Sequence, residues 1–306
     1  MLTVLCGGVG AARLLSGLVD VVDPDSITAI VNVADDLWVH GLYVAPDLDT
    51  ITYTLGGVHN DVTGWGVDQE SWRVMDELAL LGGPTWFRLG DRDLATHLYR
   101  TGRLAEGAPL STVAAELAAA RGVRVHLVPV SNDPVATVLT TSSGERLEFQ
   151  EYFVARRHDV DVARIDFEGA ASARPSPGVL EAIAAATRVL IAPSNPLVSI
   201  DPILAVPGVR DAVASRRGDV VAVSPIVAGA ALKGPADRLL ASLGHESSAL
   251  GVARHYASLV GTFVLDERDA VLCAGVEALG MRCVVTDTVM SDRSRAAALA
   301  KVLAGG

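Results

Sequence analysis

Two short segments near the N-terminus hold the residues whose types and spacing suit chemistry. Gly7-Gly8-Val9-Gly10 falls between an apolar run, Leu2–Cys6, and a stretch with helical spacing, Ala11–Val19. Glycines let a backbone approach a phosphate, and a helix N-terminus offers oriented N–H donors and the positive end of its dipole. The loop reads as a nucleotide-phosphate site, with a plain tight turn as the alternative. No Gly-Lys-Ser/Thr follows, so it is not a Walker loop. The dinucleotide fingerprint also fits poorly, because Arg13 stands where a small residue is needed for helix–strand packing. In the first helical turn, Arg13 could reach a phosphate instead.

The second segment is acidic. Asp35-Asp36 follow an apolar run, Thr28–Val33, and Asp47-Leu48-Asp49-Thr50 come soon after, beyond His40. Four carboxylates within fifteen residues, next to a phosphate loop, suit Mg²⁺, which takes one or two carboxylates plus phosphate oxygens. The alternative is that they are solvated loop residues, with Asp47 or Asp49 capping a helix that starts near Thr50. In Trp86–Asp93, Asp91 reads as the N-cap of the following helix, and Arg88 and Arg92 flank Gly90. Trp38, Trp65, Trp72, Trp86, Tyr43, Tyr53 and Tyr99 all lie between residues 38 and 99, either as core or as a slot for a flat heterocycle. Ser194 and Asn195, in Pro193-Ser194-Asn195-Pro196, offer donors and acceptors where a strand should end. Lys233 is one of two lysines in a chain that otherwise uses arginine, which suggests a point charge for phosphate unless it is chance.

These residues need a scaffold, and the pattern of runs supplies one. Short apolar runs alternate with helical stretches at both ends of the chain, which predicts a Rossmann-like, doubly wound α/β fold with a mostly parallel sheet. The core is expected over 1–60 and 176–306, and a mainly helical insertion over 61–175. Within the insertion, Asp68–Leu81, Asp91–Arg103 and Ser111–Arg121 carry helical periodicity, and Ser142-Ser143-Gly144-Glu145 marks a hairpin. The 306 residues carry 36 Asp and Glu against 25 Lys and Arg, a formal charge of −11, and half of them are apolar. That balance argues against nucleic acid and anionic membranes as partners. No signal peptide or spanning segment is visible, and Cys6, Cys273 and Cys283 form no metal spacing, so a reducing cytoplasm is expected.

Taken together, the motifs resemble the 2-phospho-L-lactate transferase family of coenzyme F-420 biosynthesis, most closely its actinobacterial phosphoenolpyruvate transferase branch. The resemblance rests on Gly7–Arg13, Val31–Asp36, Pro46–Thr50, Tyr53–Gly57, Leu89–His97, Ala192–Pro196 and Ser224–Ile226. It implies a Mg²⁺-dependent enzyme that moves a phospholactate or phosphoenolpyruvate group from a guanosine diphosphate-linked donor to the ribityl hydroxyl of a deazaflavin, Fo, and releases GMP. It implies that Gly7, Gly8, Val9, Gly10 and Arg13, with Lys233, meet the donor phosphates, and that Ser194 and Asn195 face guanosine or deazaflavin. Asp35 and Asp49 would hold Mg²⁺ and act in catalysis, with Asp49 also meeting the attacking hydroxyl. Asn32, Trp86 and Arg88 would contact the deazaflavin, in a pocket the insertion helps to form. A homodimer is implied as well. His40 and His97 are candidates for a general base. A nucleotide- or nucleotide-sugar-binding regulator on the same fold, and a nicotinamide oxidoreductase, are the competing readings.

Overall fold

A computed structural model of the chain describes residues 1–62 and 64–305. The chain opens with β1 (Leu2–Cys6), α1 (Gly8–Leu18) and β2 (Ile27–Val31). Both strands are buried along their whole length, as parallel strands covered on two faces must be. A hairpin of β3 (Leu37–Val39) and β4 (Leu42–Val44) leads into α2 (Pro46–Leu55). Three further helices follow, α3 (Arg73–Leu80), α4 (Asp91–Ala105) and α5 (Leu110–Ala120), and the chain then returns to the sheet in β5 (His126–Pro129).

A small antiparallel sheet comes next, built from β6 (Ala136–Thr141), β7 (Arg146–Glu148) and β8 (Val162–Glu168). The last part runs through α6 (Val179–Ala185), β9 (Arg188–Ile191), α7 (Asp201–Ala205), α8 (Val209–Ser215) and β10 (Val220–Val223). It continues with a short hairpin, β11 (Ile226–Val227) and β12 (Ala230–Ala231), then α9 (Ala236–Ser242) and α10 (Ala249–Tyr256). It closes with β13 (Thr262–Asp266), α11 (Cys273–Glu277), β14 (Arg282–Thr286) and α12 (Arg293–Gly305).

Seven strands form the central sheet in the order β14-β13-β10-β9-β1-β2-β5, and every pair is parallel. From β1 the chain moves outward through β2 and β5, then returns and moves the other way from β9. The order reverses between β1 and β9, which opens a crevice at their carboxyl ends. This is the doubly wound architecture read from the sequence. The expected boundary of the insertion needs correction, because β5 lies within 61–175 yet pairs with β2 in register Thr28 to His126. Its partner strand is about a hundred residues away, so local pattern does not reveal the pairing. What stands apart is smaller. The β3–β4 hairpin, α3 and the start of α4 share a separate core of Leu37, Val39, Val44, Met75 and Leu89.

Arginines close helix ends beside the start of β10, an interior strand of the sheet. Arg216 donates to the carbonyls of Ile183, at 3.3 Å, and Ala186, at 2.6 Å, and Arg217 donates to Ala257 and Gly280. A guanidinium serves several carbonyls at once, which lysine cannot do from a fixed fork. Among the described residues, no helix is long and apolar enough to cross a membrane.

Candidate active site

The crevice between β1 and β9 is where the glycine loop lies. Gly7 and Ser194 are locked together across it. Ser194 Oγ donates to the Gly7 carbonyl at 2.7 Å and accepts from the Gly7 N–H at 3.4 Å. Asn195 follows as the cap of the next turn, its Oδ1 accepting from Leu197 N at 3.0 Å. Its Nδ2 is buried and has no hydrogen-bond partner among the described residues, which leaves a donor unused beside the crevice.

The helix α2 aims a carboxylate at the same loop. Asp47, in its first turn, accepts from Gly8 N at 2.7 Å and from Asn32 Nδ2 at 3.0 Å. Gly7 makes room for it, since a Cβ there would lie 2.5 Å from Asp47 Oδ2. Burial pushes the Asp47 carboxyl up to about 6, against the pull of the Asn32 and Gly8 hydrogen bonds. Asp35 is buried beside it, and burial, then Asp47 and Asp36, hold its carboxyl well above the ordinary range. Asp35 Oδ1 has no hydrogen-bond partner among the described residues. Burial also raises Asp36, whose Oδ2 accepts from Tyr43 OH at 2.9 Å while its Oδ1 is unpartnered. His40, at the tip of the β3–β4 hairpin, takes a left-handed φ of 53° and keeps a buried Nε2 without a partner.

The fit of a cation can be tested on these atoms. Among the described residues, no three His, Cys, Asp or Glu side chains gather as a metal cluster. Two buried carboxylates, Asp47 raising Asp35 and Asp35 keeping an orphaned oxygen, make the short protein ligand set that Mg²⁺ uses when phosphate oxygens complete the shell. The donor set fits.

Asp49 is differently engaged. Its carboxylate is bound by both terminal nitrogens of the buried Arg100, one at 3.1 Å to Oδ2 and the other in a close ion pair with Oδ1. His97 completes the group, with Nδ1 3.7 Å from Asp49 and Nε2 3.2 Å from Asp93. Tyr53 OH donates to Asp93 at 2.6 Å. The carboxylate that faces Asp35 is therefore Asp47, which the sequence reading left as a possible helix cap. The cause is helix geometry: two residues along, a side chain has turned about 200° to the opposite face. The sequence also gave no sign that Arg100 was buried.

The remaining expected residues divide in two. Arg13 and Lys233 come together at the side of α1, although they are 220 positions apart. Arg88 and Trp86 lie on the helical unit: Arg88 stacks 4.3 Å above the Trp72 ring, and Trp86 packs edge-on against Phe87. Asp91 is not the cap of its own helix. Gly90 holds the cap position of α4, and Asp91 instead accepts from the N–H groups of Arg73 and Val74, capping α3. Glu70 answers in the other direction, accepting from Arg92 N at 2.7 Å and Asp93 N at 2.8 Å to cap α4.

Similarity to known proteins can be set beside this geometry. The sequence matches the 2-phospho-L-lactate transferase CofD family over residues 2–300. It is 47% identical over 305 residues to a phosphoenolpyruvate transferase of Streptomyces griseus, covering 98% of this chain and 96% of that one. It is 36% identical over 300 residues to a 2-phospho-L-lactate transferase of Methanosarcina mazei, covering 98% of both. Its fold is similar to the crystal structure of a UPF0052 family protein from Bacillus halodurans, with a TM-score of 0.65 at 19% identity, covering 99% of this chain and 98% of that one.

Proposed function

The chain belongs to the 2-phospho-L-lactate transferase family and is a transferase of phosphate-containing groups, and from that premise we propose that it acts in coenzyme F-420 biosynthesis. In this reading it moves a phosphoenolpyruvate or phospholactate group from a guanosine diphosphate-linked donor to the ribityl hydroxyl of Fo. The hydroxyl oxygen forms a bond to the phosphorus next to the acid and gives up its proton to solvent, the bond from that phosphorus to the bridging oxygen of GMP breaks, and GMP leaves with that oxygen. The observation that carries the reading is the buried Asp35–Asp47 carboxylate pair beside Gly8 N, with no cation among its hydrogen-bond partners in the described residues, in the crevice where the strand order reverses.

Each part has a task that follows from its chemistry. With Gly8 N held by Asp47, the N–H groups that follow it in the first turn of α1 would meet the diphosphate at the positive end of the helix dipole. Asp35 and Asp47 would hold Mg²⁺, and Asn32 fixes Asp47 for that purpose. When bound, the ion supplies charge neutralisation on the diphosphate, which is most of what phosphoryl transfer needs besides in-line positioning. The unused Asn195 Nδ2 donates to the nucleoside side of the donor. The aromatic unit of Trp65, Trp72 and Trp86 with Arg88 offers stacking area for the deazaflavin. We further propose that the enzyme works in the cytoplasm as a homodimer.

The test is direct. The protein is incubated with Fo, Mg²⁺ and, in parallel, the guanosine diphosphate conjugates of lactate, enolpyruvate and glycerate. Release of GMP with a phosphodiester-bearing deazaflavin is expected from at least one conjugate, and its identity names the acid. No GMP from any of the three sinks the proposal, and loss of turnover with EDTA, restored by Mg²⁺, tests the metal.

A further inference from the structure

One turn behind the Asp47 site, α1 and α2 run side by side and leave a small cleft. Val9 and Arg13 line it from α1, Thr50 and Thr54 from α2, and His59 and Gly64 from the segment after α2. Lys233 reaches the same place from the loop between β12 and α9. A Cβ on Gly64 would lie 2.5 Å from its Nζ. Desolvation there, and the nearness of Arg13, hold the Lys233 ammonium below its ordinary value.

Two cations thus meet at one cleft. The Arg13 guanidinium donates to the Met290 carbonyl at 3.3 Å, and neither it nor Lys233 has a carboxylate partner among the described residues. The acid on the cleft wall, Asp61, is bound to His59 at 2.8 Å. Neighbouring cations with no carboxylate bonded to either repel each other and are stabilised by an anion from outside.

The donor assigned above, on which this step rests, carries three anionic groups. Its two phosphates already have the glycine loop, the helix end and the carboxylate-held ion. The third is the carboxylate of the transferred acid, attached to the carbon that bears the bridging oxygen. One helical turn is about 5 Å, a reach that such a neighbouring group can span. We infer that Arg13 and Lys233 form the carboxylate subsite of the donor, with the Thr50 and Thr54 hydroxyls at its floor. A planar guanidinium fork pairs with a carboxylate through two parallel bonds, and the ammonium adds a movable point charge. The subsite selects 2-phospho acids as a class. It does not distinguish lactate from enolpyruvate, because the carboxylate is common to both.

The experiment measures binding, by calorimetry with Mg²⁺ and without Fo, of three ligands: GDP, the guanosine diphosphate conjugate of lactate, and the same conjugate as its carboxamide. The wild type should bind the acid about tenfold more tightly than the carboxamide, the size of one charge-assisted hydrogen bond. Lys233→Met and Arg13→Gln should each weaken the acid about tenfold while changing GDP and the carboxamide less than about twofold. Lys233→Arg should restore the preference. Equal loss for GDP and the acid overturns the inference in favour of a phosphate subsite, and no loss for any ligand overturns it outright. If the acid preference behaves as stated but adding Fo releases no GMP, the subsite stands and the transferase reading fails.

Discussion

One helix, α2, serves two acid clusters that differ in a single respect. Asp47 and Asp49 sit two residues apart in its first turn and are almost equally buried. Asp49 turns toward α4 and meets Arg100, His97 and, through Asp93, the Tyr53 hydroxyl. Asp47 turns toward the glycine loop and meets N–H donors and a second carboxylate, with no cation among its hydrogen-bond partners. Burying a carboxylate is costly unless a counter-charge is supplied. The fold supplies it on one side of the helix and withholds it on the other. What separates the two clusters is therefore the missing cation, since depth is common to both, and on the proposed reading that open cluster is the one that holds Mg²⁺.

The largest expected effect breaks the satisfied cluster. Arg100→Met leaves Asp49 and Asp93 buried without their guanidinium and should cost about 3–5 kcal/mol in urea unfolding. Asp49→Asn should also destabilise, because it strips Arg100 of its partner, yet turnover per folded molecule should survive. If Asp49→Asn abolishes GMP release at unchanged stability, Asp49 is a metal ligand as the resemblance implied, and the contrast between the two clusters collapses.

The open cluster should answer in the opposite way. Asp47→Asn keeps the shape and an acceptor for Gly8 N but removes the charge that would hold the cation. GMP release should fall by about 10²–10³-fold, in line with losing one preorganised electrostatic group. Unfolding by urea should show no loss of stability, because a repulsion between Asp47 and Asp35 is relieved. A variant that unfolds more easily and keeps its rate would make Asp47 a structural residue.

A pH series sharpens the same contrast. Asp47 titrates near 6 in the folded chain against an ordinary 3.8, so the folded state holds the extra proton between those values and stability falls as pH rises through them. The part of that slope due to Asp47 is worth roughly 3 kcal/mol over the window and should be missing in Asp47→Asn, while the raised Asp35 and Asp36 keep a slope of the same sign. Asp93 has the reverse sign. Burial pushes its carboxyl up, but His97, with Nε2 3.2 Å away, outweighs that and holds it below the ordinary value, so its contribution is present above 3.8 and is lost as pH falls through the lowered value. Urea midpoints of wild type and variant between pH 4 and 7 should diverge steadily, and parallel curves would refute the assignment.

Much of this was legible in the residues. The glycine loop, Asn32 and the Ser194-Asn195 pair all sit at strand ends, and a doubly wound sheet gathers strand ends without further information. Lys233 stood out by rarity alone. The choice between Asp47 and Asp49 was not legible, because a two-residue offset decides the face only once the helix start is known. The helix begins at Pro46, four residues earlier than expected. β5 was hidden for another reason: its pairing with β2 spans the whole helical unit. The use of arginine for almost every cation looked like a composition bias. Arg216 and Arg217 give part of it a cause, because each ties several helix-end carbonyls at once.

The smallest effect asks whether the helical unit belongs to either cluster. Its helices cap each other, Glu70 closing α4 and Asp91 closing α3, and Gly90 is where the two crossings touch. A Cβ on Gly90 would lie 2.5 Å from Glu70 Oε2. Its φ of −73° suits any residue, so Gly90→Ala changes this contact and leaves the backbone unstrained. The loss should be about 1–2 kcal/mol, the worth of a helix cap. Amide exchange should quicken at Arg92 and Asp93, whose N–H groups Glu70 accepts, while the amides of α2 keep their protection. Turnover at saturating Fo should change little, because neither Asp35 nor Asp47 draws on this contact, and any loss should fall on the KM for Fo, whose proposed stacking surface at Trp72 and Arg88 adjoins it. Should GMP release drop as far as in Asp47→Asn, the crossed caps would have to hold α4, and through Arg100 the whole first turn of α2, in place for catalysis, and the two clusters would be one machine.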